Sequence, residues 1–495
     1  MTADPTALRR ADVVCDVIAA VFIALALLAA RHATADLPGA HDPDHFRDIA
    51  QAQTVRDGRF LSDPYYRGEW AWYNPLLAWT IALGSSATRT TVEEFHVHGG
   101  PWLNLLAPLM FYLLAVRLAG RRAALGGLTL YLFFITGQEH SWAAATYSPW
   151  LFSDNFSEGL FFSAAFAVLS ADQRPGTARA AIAGALMGVT FLAHTAPALI
   201  LAIMTCALWY RRWRMLLVSG GAALLCASPF LGVIALHYHF HVEHAAPLVY
   251  QYARVSKEGF VETLRHNGWL IGTALAGLWV VRSRFLATWM VVASALTLYA
   301  LAPPTPLLPA FHFWLYVTAV LAILAGALLA SLARNTYLFA ALAVILVAWH
   351  WNAYVTRPDF QAGRFLSARR NADHIAAAAF LRTVAQPDDV VLGNDGVVRL
   401  IIGVAGRKTV APDPLFANPY IEYESRRADR DRLLASVEQG DLAAFRPLAS
   451  QRDISVAVMN DTTGCTMAAR MFPLTWQLRG DICVSIVRDR PDTIR

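Results

Sequence analysis

Two aspartates, Asp42 and Asp44, lie two residues apart in the segment 41–47, just beyond an apolar run of the chain. Near the rim of a bilayer a carboxylate is partly desolvated, so its pKa is free to rise and it can take a proton from a hydroxyl group. The same pair could supply oxygen ligands to a divalent cation. A structural role is also open, in which Asp42 caps a helix that starts at Pro43 and buries Phe46.

A second acidic pair, Asp154 and Glu158, stands at the start of a later apolar run. The residues are four apart, so on a helix they share one face. The structural alternative is that Asp154 caps that helix and Glu158 is an anion of its first turn, which the helix dipole favours for both.

Basic and aromatic side chains occur in two long polar segments. Arg254, Lys257 and Arg265 suit a phosphate or pyrophosphate headgroup, with lipid-headgroup contact or simple solvation as the alternative. Trp72 and Tyr73 could form a stacking floor for a sugar, although we favour an interfacial aromatic belt.

A histidine-rich stretch occupies residues 237–244, with four histidines and one glutamate. Histidine and carboxylate are common zinc ligands. However, their spacing here fits a helical or strand face only loosely, so we favour aromatic–polar packing over metal binding.

Composition places these groups on a membrane protein. Of 495 residues, 56% are hydrophobic and 16% charged, against about 25% charged in an ordinary soluble domain. Residues 358–495 have a nearly normal charge density, whereas residues 1–357 have about half of it. This pattern excludes a soluble enzyme, a disordered chain and a nucleic-acid binder. It predicts a membrane-embedded module at 1–357 followed by a soluble domain at 358–495.

Eleven apolar runs are long enough, or nearly long enough, to cross a bilayer; they lie at about 13–30, 100–118, 122–137, 155–171, 178–193, 196–210, 215–236, 268–281, 285–302, 311–332 and 335–354. With a cytoplasmic N-terminus, every arginine cluster between runs falls on the inner side, as the positive-inside rule requires. The outer connections 138–153 and 303–310 contain no Lys or Arg. The C-terminal domain then lies outside, as do two long loops at 31–98 and 238–267.

The C-terminal domain has an α/β pattern. Helices are predicted at 373–384 and 429–437, and strands at 389–393, 454–459 and 482–487. Cys465 and Cys483 could pair if this domain lies in an oxidising compartment. The apolar segment 75–87 is too short to cross a membrane and is predicted to be a surface helix.

Several motifs together resemble one known superfamily. They are the acidic pair at 42–44, Gly-Arg-Phe at 58–60, Tyr-Asn-Pro-Leu at 73–76, Pro-Trp-Leu-Asn-Leu at 101–105, and weaker similarities at 118–125 and 191–198. The chain thereby resembles the C-type (GT-C) glycosyltransferases. These are multispan enzymes that use polyprenyl-phosphate-linked sugars, and they include oligosaccharyltransferases, protein O-mannosyltransferases and lipid A aminoarabinose transferases.

The resemblance implies roles for particular residues. It implies a catalytic acidic residue in the first outer loop, for which Asp44 is the best match and Asp42 the competing one. It also implies a second acidic motif that helps bind a divalent cation, Mg or Mn, to which Asp154 and Glu158 correspond along with Asp44. The superfamily often has a cation for the lipid phosphate at the position of His312.

The sequence therefore predicts a multispan α-helical membrane protein of the GT-C type with an extracytoplasmic C-terminal α/β domain, in a bacterial-type inner membrane. The expected activity is inverting transfer of a sugar from a polyprenyl-phosphate donor to a hydroxyl on a lipid, glycan or protein acceptor at the outer face. A transporter or flippase of a lipid-linked sugar, and a non-catalytic cell-envelope scaffold, are the alternatives.

Overall fold

The computed structural model describes residues 5–488, except for 136–145, 250–251, 303–309, 334, 359, 362 and 364–371. Its contacts divide the chain into two compact units. Unit 1 comprises Met1–Asp36, His98–Pro229 and Gln251–Gly363, and unit 2 comprises Leu37–Val97, Phe230–Tyr250 and Arg364–Arg495. Unit 2 thus gathers most of the segment 31–98, part of the segment 238–267 and the C-terminal region.

Sixteen described helices precede the C-terminal region: α1 Pro5–Thr34, α2 Pro43–Arg56, α3 Leu76–Thr88, α4 Val92–Leu103, α5 Leu106–Ala119, α6 Arg121–Thr129, α7 Ser153–Gln173, α8 Thr177–Ala193, α9 Thr195–Trp209, α10 Trp213–Leu236, α11 Ala246–Val249, α12 Tyr252–Asn267, α13 Trp269–Val281, α14 Arg284–Leu301, α15 Phe311–Leu332 and α16 Thr336–Val355. A π-helical turn, Leu130–Phe134, continues α6. The described part of each predicted apolar run lies in a helix to within a few residues.

Within the described ranges, six helices are long and apolar enough to cross a membrane. They are Arg10–Thr34, Val92–Ala119, Trp213–Leu236, Arg284–Leu301, Phe311–Leu332 and Thr336–Val355. Four further apolar helices in the described ranges are shorter, namely α3, α8, α9 and α13. The predicted polytopic helical architecture is confirmed, while the count of eleven spans stays a prediction.

Small residues allow the helices of unit 1 to approach closely. A Cβ at Gly326 of α15 would lie 2.2 Å from the backbone nitrogen of Gly127 in α6. A Cβ at Gly277 of α13 would lie 1.9 Å from the carbonyl oxygen of Leu324 in α15. Lipid offers apolar helices no hydrophobic reason to associate, so close packing of small residues is what holds them together.

The C-terminal part of unit 2 is built on a five-stranded sheet of order β2-β1-β3-β5-β4. Its strands are β1 Val390–Leu392, β2 Lys408–Thr409, β3 Ile454–Met459, β4 Thr475–Gln477 and β5 Cys483–Ile486. β1 pairs in parallel with β2 and β3, and β5 pairs antiparallel with β3 and β4.

The longer helices of this region are Ala372–Val384, Glu424–Gln439, Leu442–Gln451 and Thr462–Met471, and a short helix, Asp395–Val397, continues into a π-helical turn, Val398–Ile402. The predicted α/β class is therefore correct, and all five predicted elements are present. Sequence reasoning missed β2 and β4, which have two and three residues, and the last two helices, which have ten residues each. Cys465 and Cys483 form a disulfide.

Candidate functional site

Asp42 caps the helix that carries the first acidic motif. Its backbone is extended, Pro43 is the first residue of α2, and its Oδ1 accepts a hydrogen bond from the N–H of Asp44 at 2.9 Å. Phe46 and Ile49 are fully buried on the inner face of this helix. Asp42 thus caps α2, as the structural alternative predicted, and the residue is 2% exposed.

Asp44, one residue further on, is oriented differently. Its side chain is 41% exposed, and its Oδ1 accepts a hydrogen bond from Arg47 Nη1 at 3.0 Å. Arg47 is buried, is also paired with Asp48 at 2.8 Å, and lies 3.8 Å from the centre of the Tyr73 ring. Within the described part of unit 2, no hydrogen bond reaches the second carboxylate oxygen of Asp44. The helix therefore presents one carboxylate outward from a buried guanidinium support.

One member of the predicted sugar-stacking pair, Tyr73, contacts the guanidinium of Arg47. Trp72 and Tyr73 are half-buried and meet edge to face, with ring centres 5.6 Å apart. One face of Tyr73 is covered by Arg47. A stacking role for these rings stays a prediction.

Three histidines pack against one another beside the acidic motif, the first pair edge to face and the second tilted, a feature that sequence reasoning missed. The ring centres of His41 and His45 lie 4.7 Å apart, and those of His45 and His96 lie 4.6 Å apart. Burial, followed by the nearby His96 and His41, lowers the pKa of His45 well below its usual range. His45 is therefore a neutral packing residue at physiological pH. The only hint of these ring contacts in the sequence was the position of His41 just before Asp42.

The histidine-rich segment 237–244 packs against other parts of unit 2, as favoured from the sequence. The Tyr238 hydroxyl accepts a hydrogen bond from the Trp70 N–H at 2.9 Å and one from Asn418 Nδ2 at 3.1 Å. His244 Nε2 lies 3.2 Å from the carbonyl oxygen of Pro414. These contacts hold the segment by polar and aromatic packing.

Asn418 also joins this segment to a buried carboxylate. Its Nδ2 donates to Asp63 Oδ2 at 3.0 Å, and the N–H groups of Tyr65 and Tyr66 donate to Asp63 Oδ1. Burial raises the pKa of Asp63 to about 6. Burial also lowers the pKa of Lys408, whose ammonium donates to the Asp63 carbonyl, to about 8. This polar cluster ties together three separate stretches of the sequence.

The predicted phosphate-binding cations lie on α12. Lys257 and Arg265 are exposed, whereas the side chain of Arg254 lies outside the described residues. Binding of a phosphate group by these residues stays a prediction.

A second polar cluster lies within unit 1, where α7, α9 and α15 begin. His312 Nδ1 is 2.8 Å from Asp154 Oδ1, and His194 Nε2 is 3.4 Å from the same oxygen. Asp154 and His194 are buried and His312 is nearly so. The two imidazole rings lie 4.5 Å apart. Sequence reasoning named Asp154 and His312 separately as candidates, but nothing in the sequence indicated that they meet each other or His194.

Glu158, one turn along α7 from Asp154, has other partners. Its carboxylate accepts a hydrogen bond from the Tyr131 hydroxyl, and the side chain is 2% exposed. The neighbouring Ser157 hydroxyl lies 3.2 Å from that of Tyr316. Glu158 is thus a buried carboxyl among tyrosines, and its predicted role as a metal ligand stays a prediction.

Asp154, His194 and His312 could hold a metal ion, since their ligand atoms all lie within 4.8 Å of one another. One feature opposes this: His194 Nδ1 caps α9 by accepting the Ala196 N–H at 3.3 Å, so the ring proton belongs on Nε2. A metal ion at Nε2 must displace that proton and weaken the cap. Losing one cap costs about 0.5–2 kcal/mol, whereas two imidazoles and one carboxylate are ligands that zinc sites with three protein ligands use. The donor set therefore fits a metal ion.

No family model and no curated protein sequence match the chain. Among solved structures, that of ArnT from Cupriavidus metallidurans bound to undecaprenyl phosphate aligns over 94% of this chain and 97% of that one, with 15% identity and a TM-score of 0.57. The oligosaccharyltransferase of Archaeoglobus fulgidus tethered with an acceptor peptide aligns over 91% of this chain and 70% of that one, with 14% identity and a TM-score of 0.54. The same oligosaccharyltransferase in complex with Zn and sulfate aligns over 90% and 69%, with 16% identity and a TM-score of 0.51.

At such low identity these similarities concern the fold, and they agree with the resemblance found in the sequence motifs between residues 42 and 105. The chain has the fold of the C-type (GT-C) membrane glycosyltransferases.

Proposed function

We propose that the protein is an integral membrane glycosyltransferase that moves a sugar, with inversion, from a polyprenyl-phosphate donor to an acceptor hydroxyl at the outer face of the membrane. The fold supports this proposal because it is shared with an ArnT structure that holds undecaprenyl phosphate and an oligosaccharyltransferase tethered to an acceptor peptide. The ArnT alignment spans nearly all of both chains.

The observation that carries the proposal is the state of Asp44. Its carboxylate is 41% exposed and is fixed through one oxygen by a buried arginine. A general base needs this combination, because the accepting oxygen must be reachable and its direction must be set. Asp42, buried and engaged in the helix cap, lacks the first requirement.

In the proposed reaction the acceptor oxygen attacks the anomeric carbon from the face opposite the phosphate. Its O–H proton passes to Asp44 as the new C–O bond forms. The bond between the anomeric carbon and the phosphate oxygen breaks, and that electron pair leaves on the lipid phosphate. Since this phosphate leaves as a stable anion, help from a general acid is less necessary. Asp44 afterwards releases its proton to water.

The lipid phosphate is expected to meet positive charge. Lys257 and Arg265 are exposed on α12, and with Arg254 and His312 they are the candidates for this contact. A metal ion at Asp154, His194 and His312 would, when bound, supply further positive charge.

The test compares Asp44→Asn with a matched control, Asp388→Asn. Asp388 has a similarly exposed side chain (43%) and is also paired with an arginine, Arg59. Both variants are reconstituted in vesicles with a panel of undecaprenyl-phosphate monosaccharides and membrane extract as acceptor, and free undecaprenyl phosphate is measured by mass spectrometry. We expect Asp44→Asn to lower its release by about 100-fold or more, with Asp388→Asn near wild type. Full activity in Asp44→Asn would refute the assignment.

A transporter of the lipid-linked sugar is the second candidate, and Glu158 is the observation that favours it. An ionisable residue buried among apolar helices often marks a transport pathway. In that case no donor is cleaved by the wild-type protein. A fluorescent lipid-linked sugar would instead become accessible on the far side of the vesicle, and Glu158→Gln would slow this movement while Asp44→Asn would not.

A further inference from the structure

The cluster of Asp154, His194 and His312 has a composition that the carboxylate motifs did not predict. It offers two imidazole nitrogens and one carboxylate oxygen, all from unit 1. The expected cation was Mg or Mn, bound by Asp44, Asp154 and Glu158. The donor atoms that converge in the structure are of a different kind.

We propose that these three residues form a transition-metal centre of the zinc type, whose protein ligands all belong to unit 1. Imidazole nitrogen suits Zn²⁺ and its neighbours among the transition metals, whereas Mg²⁺ and Ca²⁺ prefer oxygen. Three protein ligands leave a tetrahedral zinc ion one open position, which a water molecule or a phosphate oxygen can take.

The helices explain why the ligands converge. Asp154 is in the first turn of α7, His194 is the residue that caps α9, and His312 is in the first turn of α15. All three are at helix beginnings, and their side chains are buried or nearly so, which limits how far they can move. Asp154 Oδ1 is already within 3.4 Å of both imidazoles. A bound ion would therefore need only small side-chain movements.

Glu158 and Asp44 are left out of this ligand set. Glu158 does not belong to the group of converging ligand atoms, and its carboxylate accepts a hydrogen bond from the Tyr131 hydroxyl. Asp44 belongs to unit 2 and is paired with Arg47. The centre is therefore expected to bind metal in the Asp44→Asn variant as well as in the wild type. This separates it from a cation held jointly by Asp44 and Asp154.

The experiment measures metal binding without any transfer reaction. The full chain, purified through a streptavidin-binding tag so that no polyhistidine competes, is stripped with chelator in detergent. It is then titrated with Zn²⁺, Co²⁺ or Mg²⁺. Bound metal is counted by mass spectrometry after desalting, and Co²⁺ also reports its ligand geometry through its visible absorption.

Variants identify the ligands. His194→Asn removes the imidazole but keeps a good capping residue for α9, and His312→Gln and Asp154→Asn remove the other two donors. His350→Gln is the control, because His350 lies in α16, stacks on Phe134 and is not part of the cluster. We expect the wild type to bind one Zn²⁺ per chain. Each cluster variant should lose at least about tenfold in zinc affinity, and His350→Gln should bind zinc as tightly as the wild type.

Two results would overturn the proposal. One is zinc binding that is equal in the wild type and in the three cluster variants. The other is Mg²⁺ binding as tightly as Zn²⁺. The outcome is separable from that of the transferase test: a protein that binds zinc in this way but never cleaves a lipid-linked donor would refute the proposed activity and leave the metal centre standing.

Discussion

Replacing Arg47 should destabilise unit 2 far more than replacing its exposed partner Asp44. The Arg47 side chain is 10% exposed and that of Asp48 is 3% exposed, so their ion pair is buried. Removing one partner of a buried pair costs about 3–5 kcal/mol, because a charge loses its compensation in a poorly solvated place. The pair between Arg47 and Asp44 is half-exposed, so its loss costs about 0–1 kcal/mol.

We therefore expect Arg47→Met to lower the stability by about 3–5 kcal/mol, and Asp44→Asn by less than about 1 kcal/mol. Arg47 also covers the Tyr73 ring, which adds about 0.5–2 kcal/mol to the cost. The assay is thermal unfolding of the detergent-purified chain followed by tryptophan fluorescence. Unfolding of membrane proteins is often irreversible, so half-lives at a fixed temperature are compared as well as Tm.

The double variant Arg47→Met with Asp48→Leu tests the reasoning itself. If the cost comes from an uncompensated buried charge, removing both charges should restore most of the lost stability. An Arg47→Met protein as stable as the wild type would refute the argument. So would a double variant that is as unstable as the sum of the two single ones, since that would mean the residues are not coupled.

Three further perturbations have calculable outcomes. Asp63 has its pKa raised to about 6 by burial, so its contribution to stability is complete below about pH 4 and is lost as the pH rises through 6. The wild type should gain about 1 kcal/mol relative to Asp63→Asn between pH 7 and pH 5; a pH-independent difference in their unfolding would contradict this. Tyr238→Phe should cost about 1–3 kcal/mol because the Trp70 N–H and the Asn418 amide lose a buried acceptor, and unchanged denaturant unfolding would count against it. Replacing Cys465 and Cys483 by serine should lower the free energy of unfolding by about 3 kcal/mol, because it removes a disulfide with a sequence separation of 18 residues. Free thiols in the wild type, detected by mass spectrometry without reductant, would contradict this.

Much of the architecture could be predicted from local patterns. The apolar runs became helices because each is a continuous stretch of apolar residues with at most a few charged ones, and Ile454–Met459 became a buried strand at the predicted residues. The cap at Asp42 was also readable, since Asp followed by Pro begins a helix by a local hydrogen bond. Each of these features depends on residues that are neighbours in sequence.

Features built from distant residues could not be predicted in the same way. Asn418 meets Tyr238 across 180 residues, and His312 meets Asp154 across 158. No periodicity records such meetings. The only signal in the sequence was that His194 and His312 are polar residues beside apolar helices, where a polar side chain has a solvation cost unless it has a partner.

The same solvation cost applies to the buried guanidinium of Arg47. A half-exposed carboxylate such as Asp44 needs little support for its own charge, yet it is held by an arginine that the fold has buried at considerable expense in solvation. A hydrophobic residue of similar size at position 47 would serve stability as well, provided that Asp48 were replaced too. Under the proposed function, Arg47 is therefore a positioning residue that sets the direction of the Asp44 carboxylate, a role that stability alone does not require. Arg47→Met with Asp48→Leu should accordingly keep the fold and lose donor cleavage, and a double variant that is both stable and fully active would show that the arginine has no such role.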